Sequence, residues 1–123
     1  MNRVLLVEDD PDVVALLKRW LGRDGYLVEN AADGAAGLEV LKRDPLPHLV
    51  LLDVMLPKVD GFEVLRQLRA EPRTRGLPVV MVSSFSRDVD AARGRELGAN
   101  DYIVKPLMEV DFLKRIEHLI KDQ

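Results

Sequence analysis

The stretch Leu49-Val50-Leu51-Leu52 is apolar without a break and stops at Asp53. An unbroken apolar run this short reads as a strand buried on both faces, as in the centre of a parallel sheet. Two further runs have the same construction. Val4-Leu5-Leu6-Val7 stops at Glu8-Asp9-Asp10, and Ile103-Val104 stops at Lys105-Pro106. Set side by side as parallel strands, the three runs bring three carboxylates and one ammonium to one sheet edge. Clustered carboxylates repel and call for a cation, and hard oxygen donors favour Mg²⁺ over a transition metal. A carboxylate beside Mg²⁺ and a lysine suits the handling of a phosphoryl group.

The rest of the chain alternates short apolar runs with longer segments of helical period, the pattern of repeated βα units. Strands are expected at about Arg3–Glu8, Tyr26–Ala31, His48–Asp53, Pro78–Ser83 and Asp101–Val104. Asp10 reads as an N-cap with Pro11 at the first helical position. The first helix then turns Val13, Leu16, Leu17, Trp20 and Leu21 inward, with Gly22 and Gly25 as candidate stops. Asp33 caps a second helix, with Leu38, Val40 and Leu41 inside, that ends before Pro45. The third carries Val64, Leu65 and Leu68 inward. The fourth, about Arg87–Leu97, is the weakest amphipath, with Val89, Ala92 and Leu97 inward and Gly94 within it. The fifth, about Val110–Lys121, buries Phe112, Leu113, Ile116 and Ile120. Right-handed crossovers make this an α/β (βα)5 fold, a doubly wound parallel five-stranded sheet of flavodoxin-like order 2-1-3-4-5, with ligands beyond the strands' carboxyl ends.

A length of 123 residues suits one domain, 1–123, with one core. The net charge of −3 argues against direct nucleic-acid or membrane binding. The absence of cysteine excludes a disulfide framework, a thiolate metal site and a cysteine nucleophile. The longest apolar runs are too short for a bilayer and nothing at the N-terminus reads as a signal peptide, so a cytoplasmic location is expected. His48 and His118 have no metal-spaced partners and read as structural or exposed.

Glu8, Asp9, Asp53, Ser83 and Lys105 all fall at or just past strand ends, where the crevice rule gathers them into one shallow pocket. From Val4 to about Ile120 the chain resembles the receiver domain of two-component response regulators. The matching pieces, in order, are Val7-Glu8-Asp9, Leu51-Leu52-Asp53-Val54-Met55-Leu56-Pro57, Asp60-Gly61, Val82-Ser83-Ser84, Gly98-Ala99-Asn100-Asp101-Tyr102 and Lys105-Pro106. The resemblance implies that Asp53 accepts a phosphoryl group from the phosphohistidine of a sensor histidine kinase or phosphotransfer protein. It implies Asp9 as a direct Mg²⁺ ligand, Glu8 acting through water, and the Met55 carbonyl as a third protein ligand. Lys105 neutralises phosphoryl oxygens, Ser83 hydrogen-bonds one, and Tyr102 responds to that movement. Pro106 forms a cis peptide with Lys105. The implied protein is a signalling switch that catalyses its own phosphorylation and dephosphorylation. Its helix 4–strand 5–helix 5 surface signals to a downstream protein, a fused output domain or a second copy, with Asp101 and Arg115 resembling dimer-pairing positions that Arg93, Glu96 and Asp111 could join.

The chemistry agrees with those roles, since carboxylate attack on phosphorus needs in-line positioning and charge neutralisation above all. Other readings are weaker. An aspartate-nucleophile phosphohydrolase of the haloacid-dehalogenase type wants a second aspartate where this chain has Met55. A flavodoxin-like cofactor module needs a phosphate-cradling loop where this chain has the acidic Glu8-Asp9-Asp10-Pro11. A receiver relic used only for protein contacts would be expected to have lost part of the acidic set. Asp10 reads as a cap alone. Ser83 stands where threonine is commoner, Ser84 where a small apolar residue is usual, and Phe85 is bulky close to the site.

Overall fold

A computed structural model describes residues 2–121, so the limits 1–123 expected for the domain extend past the described residues at both ends. The described residues form β1 (Arg3–Val7), α1 (Pro11–Arg23), β2 (Leu27–Ala31), α2 (Gly34–Val40) and β3 (Leu49–Leu52). There follow α3 (Gly61–Ala70), β4 (Val79–Ser83), α4 (Asp88–Glu96), β5 (Asp101–Val104) and α5 (Glu109–Lys121). The strands make one parallel sheet in the order β2-β1-β3-β4-β5, the expected topology.

Strand alternation sorts the sheet residues into two cores. Leu5, Val7, Val50, Leu52, Val79, Met81 and Tyr102 face one layer, where they meet Phe62, Val64, Leu65 and Leu68 of α3 and Leu41 just after α2. Val4, Leu6, Leu49, Leu51, Val80, Val82 and Ile103 face the other, against Leu17, Trp20 and Leu21 of α1 and Phe112 and Ile116 of α5. The central strand β3 is therefore apolar and buried at every position, as its sequence pattern required. Full burial of one such leucine is favourable by about 1.5–3 kcal/mol. Trp20 and Phe112 close the α1–α5 seam, their ring centroids 6.0 Å apart.

The helix starts follow local chemistry. The carboxylates of Asp10, Asp33 and Asp60 accept N–H bonds from Asp12, Ala36 and Glu63, which satisfies donors that a helix start leaves open. Gly25, at φ +88°, turns the chain out of α1. The peptides Lys105–Pro106 and Asp44–Pro45 are both cis; only the first was expected.

Helix α4 corrects the sequence reading. Val89 is 64% exposed and Ala92 also faces solvent, while Asp90 and Gly94 are buried. Arg87 makes a two-pronged bond to Asp90, at 3.1 and 3.0 Å, so the buried carboxylate is paired. A Cβ on Gly94 would lie 3.1 Å from the Met81 sulfur and 3.2 Å from the Tyr102 ring. The missing side chain lets α4 approach the sheet there, which turns Val89 away from it. Leu97 packs against the core as expected. Smaller corrections concern lengths. Tyr26 precedes β2 rather than joining it, α2 ends at Val40 with Leu41 as its cap, and α5 starts at Glu109.

Candidate phosphoacceptor site

β1 and β3 are neighbours, and their connections leave for opposite sides of the sheet, so a crevice opens at their carboxyl ends. The backbone there stays in ladder register: the Asp53 N–H donates to Val7 O at 3.0 Å and the Glu8 N–H to Ala31 O at 3.0 Å. Glu8, Asp9 and Asp53 are thereby brought together, with one carboxylate oxygen from each within 4.8 Å of the others. Glu8 and Asp53 are buried, at 2% and 7% exposure, and Asp9 faces solvent.

Lys105 arrives from the end of β5. Its Nζ donates to Glu8 Oε1 at 2.8 Å and to Asp53 Oδ2 at 3.4 Å. Its backbone N–H is held by Ser83 O at 2.8 Å. Burial pushes the Glu8 carboxyl above its ordinary pKa, and nearby Asp53 adds to the shift while Lys105 opposes it. Burial also works against the Lys105 ammonium, yet Glu8 and Asp53 outweigh it and hold its pKa above the ordinary value. Three acids share one ammonium here, and the excess negative charge lies in a partly dry crevice. This hard, all-oxygen donor set fits a small divalent cation such as Mg²⁺.

Asp53 Oδ1 lies 3.4 Å from the Met55 backbone N. The loop after Asp53 is held at both ends by glycines. Gly61 donates its N–H to Val54 O at 2.8 Å and sits where any Cβ would overlap the Asp53 carbonyl. Gly34 abuts the Val59 carbonyl in the same way, and Lys58, at φ +69°, reaches Asp33 at 3.6 Å. Ser83 is fully buried beside the crevice, its Oγ accepting the Phe85 N–H at 3.1 Å. The Tyr102 ring lies inward at 5% exposure, with its hydroxyl donating to Phe85 O at 2.8 Å. Met55, Phe62, Phe85, Arg87 and Arg93 line a cleft of about 530 Å³ that Asp9 also borders. Glu8, Asp9, Asp53, Met55, Ser83 and Lys105 thus fall at this end of the sheet, while Tyr102 sits further back in β5 and reaches toward it through its hydroxyl. Asp101 and Arg115 are paired within the chain at 3.5 Å, and Arg115 also meets Asp111 at 3.2 Å.

Arg69 and Asn30 had no sequence signal, and Arg93, read from the sequence only as a surface charge that could join Asp101 and Arg115, takes another partner in the fold. Arg93 of α4 stacks 4.3 Å above the Phe62 ring of α3. Arg69 donates to the Gly98, Arg75 and Leu77 carbonyls and to Asn100 Oδ1, tying α3 to the α4–β5 turn. Asn30 bonds the end of β1. All three act across long sequence separations, where side-chain type alone carries no register.

The response regulator receiver domain model matches residues 4–117. The master transcriptional regulator RpaA of Synechocystis is 39% identical over 121 residues, covering 98% of this chain and 50% of that protein. The transcriptional regulatory protein AfsQ1 of Streptomyces coelicolor is 45% identical over 107 residues, covering 87% and 46%. The chain thus spans about half the length of these two curated relatives. Among solved structures, one is the receiver domain of the sensor histidine kinase PA1611 from Pseudomonas aeruginosa PAO1, with a magnesium ion coordinated in its active-site cleft. It superposes with a TM-score of 0.89 at 28% identity, covering 98% of each chain. No helix among the described residues is long and apolar enough to cross a membrane. The acidic crevice, the strand order and the match from 4 to 117 lead to one assignment: the chain belongs to the response regulator receiver domain family.

Proposed function

We propose that Asp53 accepts a phosphoryl group from the phosphohistidine of a sensor histidine kinase or phosphotransfer protein, and that the chain thereby acts as a switch. The observation that carries this reading is the placement of Lys105 between Glu8 and Asp53 in a crevice holding three convergent carboxylates. Glu8, Asp9, Asp53 and the Met55 carbonyl would hold Mg²⁺, as supported by the magnesium-bound relative of the same fold. That ion supplies charge neutralisation at the phosphoryl oxygens.

The chain's own groups do the rest. An Asp53 carboxylate oxygen forms the new O–P bond as the donor's P–N bond breaks, and the histidine nitrogen leaves with its electron pair. Lys105, already against Asp53, offsets charge on the transferred group. The buried Ser83 hydroxyl stands ready to donate to a phosphoryl oxygen, and the segment 83–85 links that event to Tyr102. The surface of α4, β5 and α5 would then present the change to a downstream protein, a fused output domain or a second copy. Incubation with acetyl phosphate and Mg²⁺ tests the reading. One added phosphoryl mass is expected in the parent and none in Asp53→Asn; labelling of the variant to the parent's extent overturns the assignment.

A further inference from the structure

We infer that Asn30 is a positioning residue for the acidic pair Glu8–Asp9. This inference rests on the metal-site reading above and names a residue outside the acidic set. Asn30 is half-buried on the edge strand β2, paired with Leu6 near the carboxyl end of β1. Its Nδ2 donates to Leu6 O at 2.9 Å and to Glu8 O at 3.1 Å, and lies 3.3 Å from Ala31 O. One amide group thus spans the backbone on both sides of Val7 and holds the carbonyl of Glu8 itself. The three surrounding carbonyls also settle the orientation of the carboxamide, since only its NH₂ can meet them.

The position matters because β2 ends at Ala31 while β1 must deliver its acids one and two residues past Val7. The Glu8 N–H is held by Ala31 O at 3.0 Å, and Asn30 holds the carbonyl side of the same residue. With both peptide groups of Glu8 tied to β2, the turn through Asp9 to the Asp10 cap has little freedom. Glu8 Oε2 takes the Asp10 N–H at 3.2 Å, so the fixed backbone also orients the carboxylate. An arrangement of acids that repel one another needs such anchoring, because relaxation would separate them. Loss of a group that orients metal ligands typically weakens metal binding about 10–100-fold.

The test is calorimetric Mg²⁺ titration of the parent, Asn30→Ala and Asn30→Val, without any phosphodonor. Valine favours a strand and lacks the donors, so it keeps the comparison readable should alanine weaken folding. Both variants are expected to bind Mg²⁺ about tenfold more weakly than the parent. At saturating Mg²⁺ their rate of labelling by acetyl phosphate should return to within about twofold, since Asn30 touches no reacting atom and acts through metal affinity. Arg69→Ala, a destabilising change outside the acidic set, should leave Mg²⁺ affinity at the parent's value. A parent that binds Mg²⁺ no better than either variant, or a loss matched by Arg69→Ala, overturns the role of Asn30. A parent that takes up no Mg²⁺ at all overturns the metal-site reading, and this inference with it.

Discussion

The Tyr102 hydroxyl donates to the Phe85 carbonyl at 2.8 Å, which ties β5 to the loop that carries Ser83 into α4. The ring lies against Gly94, so loop, helix and strand share one contact. Tyr102→Phe keeps the ring and removes the bond. It should lower stability by about 1 kcal/mol. Amide exchange should quicken from Arg87 through Ala91, where the loop enters α4. Unchanged exchange there would mean that the hydroxyl restrains nothing.

The acidic crevice should cost the metal-free protein stability. Asp53→Asn removes one of three converging charges while leaving the Lys105–Glu8 bond in place. In the presence of a chelator the variant should be more stable by about 1 kcal/mol, or roughly 4 °C in thermal midpoint. Added Mg²⁺ should raise the parent's midpoint more than the variant's, closing the gap. A less stable variant under chelation would contradict the repulsion argument.

Gly61→Ala should be severe. The new Cβ would overlap the Asp53 carbonyl and crowd Val54 Cα, and neither backbone atom can move without moving Asp53. A loss on the order of 3 kcal/mol is expected from denaturant unfolding. Acetyl phosphate labelling should fall more than the unfolded fraction accounts for. Labelling in proportion to folded protein would show that the loop adapts.

The Arg66 side chain, with help from Gln67, holds the Glu63 carboxyl down to about 2, from an ordinary value of 4.5. The folded pKa is below the unfolded one, so on acidification the unfolded chain takes up this proton first. The pair's contribution is present above about pH 4.5 and is lost as pH falls toward 2. Urea midpoints compared at pH 7 and pH 2.5 should fall further for the parent than for Glu63→Gln. Equal falls would assign the acid sensitivity to other carboxylates.

Met55 and Phe85 line the cleft that Asp9 borders, and Met55 is 57% exposed. Hydrolysis of a phosphorylated Asp53 requires a water in line behind phosphorus. Neither side chain offers the hydrogen bond that would orient it. The phosphorylated form should therefore be long-lived. Polar groups at both places, in Met55→Asn with Phe85→Glu, should release phosphate about tenfold faster or more. Release no faster than the parent's would remove these side chains from control of that water.

Much of the molecule is legible along the chain because its cues are local. The unbroken apolar run Leu49–Leu52 marks β3 as a central strand, and the caps read at Asp10 and Asp33 sit within three residues of the N–H groups they satisfy. The strand ends also announce Glu8, Asp9, Asp53, Ser83 and Lys105, since parallel packing leaves one edge for all of them. Contacts between distant segments are another matter. The α4 sequence offers two thin faces of similar polarity, and neither Val89 nor Asp90 declares which is buried. The choice falls to shape and pairing: Gly94 fits against Met81 and Tyr102, and Arg87 neutralises Asp90. The carboxamide of Asn30 and the guanidinium of Arg69 likewise find their partners only once strands and turns far apart in sequence are neighbours. Period and capping depend on residues a few positions apart, whereas which polar group meets which carbonyl depends on a register that only the assembled sheet supplies.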